Sequence, residues 1–272
     1  MEKFESLNKK LHGNKTIYGT CIVSPSAIWP KAVKGAGLDF VFIDTEHIPL
    51  NRAQLTTMCQ TYAALNLSPI VRIPSPDPYL ACMAKDAGAI GVLAPYIENT
   101  EEVKQLVGAT KLRPLKGFRL QNVLSGKEVL TPELEAYLSA YNQDGLCLIN
   151  IESSAALNNI DNLLAVKGLD AVIIGPHDLS INLGLPEQYD HPVFEATVQN
   201  IIKKARNKQI AAGIHFPKHP DQQIKWVKEG ANIVLHSSDL FLFAEKLKAD
   251  LKQIKQASGD TLNFMEDSGP NI

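Results

Sequence analysis

The sequence predicts an α/β protein of the (β/α)8, or TIM-barrel, class. Three observations carry this. Short apolar runs bounded by turn residues recur eight times along the 272-residue chain. Segments with helical spacing separate most of them, and strict strand–helix alternation implies parallel pairing through right-handed crossovers. Eight such units in roughly 240 residues match the usual span of a closed barrel. A single domain is therefore expected over residues 1–257, followed by a polar tail over 258–272.

Strands are expected at residues 17–23, 39–44, 69–73, 90–95, 146–151, 171–175, 211–214 and 232–236. Runs such as Ala171-Val172-Ile173-Ile174 are apolar at every position, which suits strands covered on both faces. The last helix is the most regular: Leu240, Phe243, Ala244, Leu247, Leu251 and Ile254 fall on one side. After the fourth strand, Asn99 or Thr100 can cap a helix opening at Glu101, Glu102 and Val103. The connection between Pro95 and Leu146 is long, with a helix expected over 131–142, and its length suggests a lid or an interface element. A doubly wound open sheet is the rival architecture. It is disfavoured by the number of strands and by the absence of a Gly-x-Gly-x-x-Gly after the first.

Composition narrows the function classes. Hydrophobic residues make up 45% and charged residues 21%, values that exclude disorder for the bulk of the chain. The net charge of −2 lacks the basic excess that nucleic acid demands. No apolar run is long enough to span a bilayer, and the charged start of the chain lacks a signal-peptide core. The four cysteines, Cys21, Cys59, Cys82 and Cys147, form no Cys-x-x-Cys. A reduced, soluble, cytoplasmic protein without nucleic-acid or membrane partners is expected.

In a barrel the reactive groups sit at the C-terminal ends of the strands. Polar residues crowd there: Asp44-Thr45-Glu46-His47 after the second strand, Arg72 in the third, Asn150 and Glu152 at the fifth, and His177-Asp178 after the sixth. Glu152 and Asp178 would emerge from adjacent strands, close enough to share one hard cation such as Mg2+ or Mn2+. Each could instead cap a following helix. Arg72, inside an apolar strand, needs a partner. Its fork suits a carboxylate or an enolate oxygen, or a structural salt bridge to Asp44 or Glu46. His47 could be a general base held by Asp44, or merely a hydrogen-bonded surface histidine. His177, His215 and His236 also lie near strand ends, so a three-histidine zinc site is conceivable. None of the expected strands contains a lysine, and Lys218 is the nearest candidate. A Schiff-base aldolase mechanism is thereby disfavoured.

Four segments in order carry a more specific signal: 37–47 (Gly-Leu-Asp-Phe-Val-Phe-Ile-Asp-Thr-Glu-His), Val71-Arg72-Ile73-Pro74, Ile149-Asn150-Ile151-Glu152, and Gly175-Pro176-His177-Asp178-Leu179-Ser180. Together they resemble the HpcH/HpaI family of metal-dependent, class II pyruvate aldolases, over roughly residues 18–251. The resemblance implies a phosphoenolpyruvate/pyruvate-type barrel using Mg2+, Mn2+ or Co2+. It also implies reversible cleavage of a 4-hydroxy-2-oxo acid to pyruvate and an aldehyde through a metal-bound enolate. It assigns the metal to Glu152 and Asp178, the enolate oxygen to Arg72 and the hydroxyl proton to His47. Asp44 would orient His47, and Asp86, from a neighbouring subunit, would support the same network. Backbone amides at His177 and Asp178 would hold the pyruvate carboxylate. A homohexamer, a trimer of dimers exchanging last helices, is the implied assembly.

The chain departs from the family pattern in three places: Asn150 stands for a usual Gln, His177 for a small residue, and Leu120-Gln121-Asn122 for a Gly-rich stretch. These departures are expected to bear on the aldehyde more than on the metal. The competing readings are an oxaloacetate decarboxylase, a citrate-lyase-like acyl-CoA lyase, and a barrel that binds a ligand without catalysis. No basic cluster stands ready for CoA phosphates, and the intact Glu152, Asp178, Arg72 and His47 speak against a non-catalytic barrel.

Overall fold

In the computed structural model, which describes residues 5–217 and 220–260, eight parallel strands pair in chain order and the eighth closes on the first. They are β1 (Ile17–Ile22), β2 (Phe40–Asp44), β3 (Ser68–Arg72), β4 (Gly91–Ala94), β5 (Leu146–Ile151), β6 (Ala171–Ile174), β7 (Ala211–Phe216) and β8 (Ile233–Ser238). The (β/α)8 expectation holds. The ends of the expected strands shift by one or two residues, since ladder bonds and not hydrophobicity end a strand.

The two-residue period of each strand sorts its side chains. Val41 and Ile43, Val71 and Ile73, Cys147 and Ile149, Val172 and Ile174 face outward and are covered by helices. Phe40 and Phe42, Ile70, Leu93, Leu146 and Leu148, Ala171 and Ile173 fill the barrel interior. Gly19 is small of necessity, because a Cβ there would lie 2.4 Å from the Phe40 ring. The same parity carries Asp44, Arg72, Asn150, Gly175 and His215 inward at the C-terminal mouth. The opposite end is closed by the helix Leu7–His12, whose Leu7 and Leu11 join the inner core. Buried Asp170 ties this end together, 3.0 Å from His12 and 2.7 Å from Lys111.

Helices begin where the sequence offers caps. Asn99 accepts from the Glu102 amide, and the Glu102 carboxylate reaches back, at the start of Thr100–Lys111. The long connection is helical and lies outside the barrel. Thr100–Lys111 is the first of its three helices, and the second, Gly117–Leu124, packs on it with Gln121 bonded to Gln105. The third, Pro132–Tyr141, matches the expected helix. None of the three helices lines the cavity at the mouth, so within one chain the connection is no lid. The Leu120-Gln121-Asn122 departure accordingly bears on side packing. The last helix, Asp239–Ser258, ends at Gly259 and exposes Phe243, Leu247 and Ile254. Most of the expected tail, residues 261–272, lies outside the described residues. Among these, no helix is long and apolar enough to cross a membrane.

Candidate active site

A cavity of about 340 Å³ opens at the C-terminal mouth, walled by residues that include Phe42, His47, Arg72, Asn150, Asp178 and His215. Asp44 ends β2 inside the barrel, opposite Arg72 in the β2–β3 ladder. The arginine donates from Nε to Asp44 Oδ1 (2.9 Å) and from Nη2 to Oδ2 (2.6 Å). Its Nε also lies 3.1 Å from Glu46 Oε2. Burial pushes the Asp44 carboxyl up, but the hydrogen bonds and charge of Arg72 outweigh it and hold Asp44 below the ordinary range. Burial raises Glu46 despite the same arginine. The salt-bridge alternative for Arg72 is therefore realised. It also fixes the guanidinium plane at the cavity wall with only 11% of the side chain exposed.

His47 stands at the edge of the cavity with half its side chain exposed, 3.7 Å from Glu46 Oε2. The expected Asp44–His47 hydrogen bond is not formed. Both Asp44 oxygens are taken by Arg72, and Oδ1 also accepts from the Glu46 amide at 2.9 Å. Glu46, expected only as an alternative partner of Arg72, is the carboxylate paired with His47 among the described residues.

Glu152 directly follows β5, and Asp178 lies in the first turn of the helix Pro176–Asn182 that follows the adjacent strand β6. Neither is a cap. Ser153 caps the helix Ser154–Leu163, and the helix Pro176–Asn182 starts at Gly175 with no side-chain cap. Glu152 is 2% exposed. Its Oε1 accepts from the Tyr96 amide (2.8 Å), whereas Oε2 is buried without a partner. Burial pushes this carboxyl up to about 7, against the Tyr96 amide bond, and the Asp178 charge adds to the rise. The Tyr96 hydroxyl donates to Asp178 Oδ1 at 2.9 Å. One residue, held at φ +46, thus touches both carboxylates. Sequence reasoning missed it, because a tyrosine after a strand has no signature; its conformation supplies one.

The other expected residues divide. Asn150 donates to the Ile173 carbonyl at 3.3 Å and leaves Oδ1 buried without a partner. His177 is exposed on the rim, 3.5 Å from Glu187. Asp86 ends the helix Pro78–Asp86, which leads into the N-terminal end of β4, and pairs with Arg113. Within one chain it stands at the far end of the barrel and does not join the cluster. The three-histidine site is not formed: among the described residues no group of three or more His, Cys, Asp or Glu is placed to hold a metal. Lys218 lies outside the described residues, and no described lysine lines the cavity.

The donor set fits a hard divalent cation. A buried carboxylate oxygen without a donor requires a partner, and Tyr96 links Glu152 to a second carboxylate, Asp178, in the first turn of the helix after the next strand. Asp44 and Glu46 add negative charge against the single Arg72. With two protein oxygens, the remaining ligands would be water or substrate, as is common for Mg2+ and Mn2+.

Comparison with known proteins finds similar sequences and similar folds. Residues 22–246 match the model of the HpcH/HpaI aldolase/citrate lyase family. A 2-keto-3-deoxy-L-rhamnonate aldolase of Salmonella gallinarum is 30% identical over 245 residues, 90% of this chain and 91% of that protein. The crystal structure of an HpcH/HpaI aldolase from Desulfitobacterium hafniense DCB-2 is similar at TM-score 0.80 and 25% identity, covering 92% of this chain and 97% of that one. The structure of the citrate synthase SbnG gives TM-score 0.79 at 26% identity, covering 94% and 99%.

Proposed function

Because the chain belongs to the HpcH/HpaI aldolase/citrate lyase family, a family of carbon–carbon lyases, we propose that it is a metal-dependent class II aldolase. Its reaction is the reversible cleavage of a 4-hydroxy-2-oxo acid to pyruvate and an aldehyde. The observation that carries this reading is the buried, unpartnered Glu152 Oε2 beside Asp178, at a mouth with one fixed arginine and no described lysine.

A divalent cation (Mg2+, Mn2+ or Co2+) held by Glu152 and Asp178 would supply Lewis acidity for the negative charge that develops on the 2-oxo group. Arg72, locked by Asp44, points a preorganised donor at the same developing oxygen. In cleavage the C4 hydroxyl loses its proton as the C3–C4 bond breaks and the electron pair moves to C3. His47, at the open edge of the cavity, accepts that proton through water. The amides of His177 and Asp178, in the first turn of a helix, take the carboxylate of the 2-oxo acid. The apolar face of the last helix suits burial against another copy, as in a hexamer built of dimers. Asp86 would reach a site only from a neighbouring subunit. Four unpaired cysteines fit a reducing, cytoplasmic compartment.

The relative's substrate makes 3-deoxy-2-oxo sugar acids the first compounds to assay. The SbnG likeness keeps a second reading open, in which the same site acts on oxaloacetate or a citrate-like acid. A screen of aldehydes with pyruvate, and separately of oxaloacetate, with Mn2+ or Mg2+ tests both. Activity is expected to vanish with EDTA and return with metal. Borohydride trapping of pyruvate on a lysine would overturn the proposed mechanism.

A further inference from the structure

At the cavity wall, β7 presents a group that the aldol chemistry leaves unused. His215 follows Ala211 and Gly213 in the inward series and rests tilted on Phe42, ring centroids 5.8 Å apart. Its Nε2 lies 3.3 Å from the Ser237 carbonyl. A carbonyl only accepts, so Nε2 carries the proton and Nδ1 keeps its lone pair. The backbone aims that carbonyl: Ser237 is held at φ +56, where the β1–β8 register shifts, and its hydroxyl donates to the Pro217 carbonyl at 2.7 Å. Burial and the nearby Arg72 charge push the imidazole down to about 4, so it stays neutral.

His215 therefore offers the cavity a neutral acceptor. A carboxylate or carbonyl cannot use it, since both are acceptors themselves. A cation is repelled by Arg72, and among the described residues no group of three or more His, Cys, Asp or Glu gathers there. A hydroxyl fits. Pyruvate carries no donor, so the hydroxyl must belong to the aldehyde-derived half.

We propose that His215 Nδ1 accepts a hydrogen bond from a hydroxyl on the aldehyde portion of the substrate, making His215 a specificity-determining residue for hydroxyaldehydes. This rests on the aldolase reading above. His215 orients the substrate and is too weak a base to take the C4 proton at neutral pH.

The test compares kcat/KM for adding pyruvate to 2-hydroxypropanal and to propanal, with Mn2+, in wild type, His215→Leu and His215→Asn. Thermal melting checks that each variant is folded. Wild type is expected to prefer the hydroxyaldehyde by about 10- to 100-fold, the effect of leaving one acceptor unpaired. His215→Leu should lose that preference through KM for 2-hydroxypropanal. His215→Asn, whose Oδ1 can stand where Nδ1 stood, should keep part of it. An unchanged preference in His215→Leu overturns the proposal, and so does an equal loss on both aldehydes, which would mark a base. If wild type adds pyruvate to neither aldehyde but decarboxylates oxaloacetate, the aldolase reading fails and this proposal fails with it.

Discussion

Gly175 leaves the space that Glu152 fills: a Cβ built on Gly175 would lie 2.0 Å from Glu152 Oε2 and 3.2 Å from its carboxyl carbon. The glycine has an ordinary extended conformation, φ −85 and ψ 97. Space alone therefore requires it. Gly175→Ala should push the carboxylate out of place and weaken Mn2+ binding by about 10- to 100-fold, the scale on which groups supporting a metal ligand act. Calorimetric titration decides this. Wild-type affinity in the variant would remove Glu152 from the metal site.

Glu152→Gln and Asp178→Asn each delete a negative oxygen from a two-carboxylate site. Both should lose measurable Mn2+ binding in the same titration. If either binds like wild type, that residue is no ligand.

Protons compete with the cation at Glu152. Burial holds this carboxyl near 7, so below that pH a metal must displace a proton. Mn2+ affinity should fall about tenfold per unit as pH drops from 7 to 5. The cation-free protein should respond in the opposite sense through this group. Its raised value favours the folded state at low pH, and that contribution is lost as pH rises through about 7. A flat affinity profile would show that Glu152 is already ionised.

Tyr96 touches both carboxylates through different atoms. Tyr96→Phe keeps the amide bond to Glu152 and removes only the 2.9 Å bond to Asp178. If the phenol holds Asp178 in a productive orientation, Mn2+ binding should weaken by about tenfold. Tighter binding would show that the phenol competes with the cation instead.

His47 and Arg72 should separate in a pair of assays. His47→Ala is expected to stop aldol cleavage but spare oxaloacetate decarboxylation, which has no hydroxyl to deprotonate. Arg72→Lys should slow both by about 10²–10³, since an ammonium cannot reproduce the fork facing a developing oxyanion. Parallel losses in His47→Ala would make it structural. Near-normal rates in Arg72→Lys would reduce that arginine to a salt bridge.

The sequence by itself determined the barrel, because eight apolar runs alternating with amphipathic helices leave few other ways to bury both faces of every strand. It also determined which strand ends carry charge, since chain position fixes the end and two-residue parity fixes the face. Asp44, Arg72, Asn150 and Glu152 were legible on those grounds. Partnership was decided only by the tertiary structure. Asp44 is 28 residues from Arg72 in the chain but bidentate to it in space, and that pairing takes Asp44 away from His47. Tyr96 lies 56 residues from Glu152 and 82 from Asp178, so no local pattern announces it. His215 looks in the sequence like any strand-end histidine, and its tautomer depends on a carbonyl turned inward by a register shift in β8. Side-chain direction at a barrel mouth depends on packing across several strands, and a linear pattern contains no term for that.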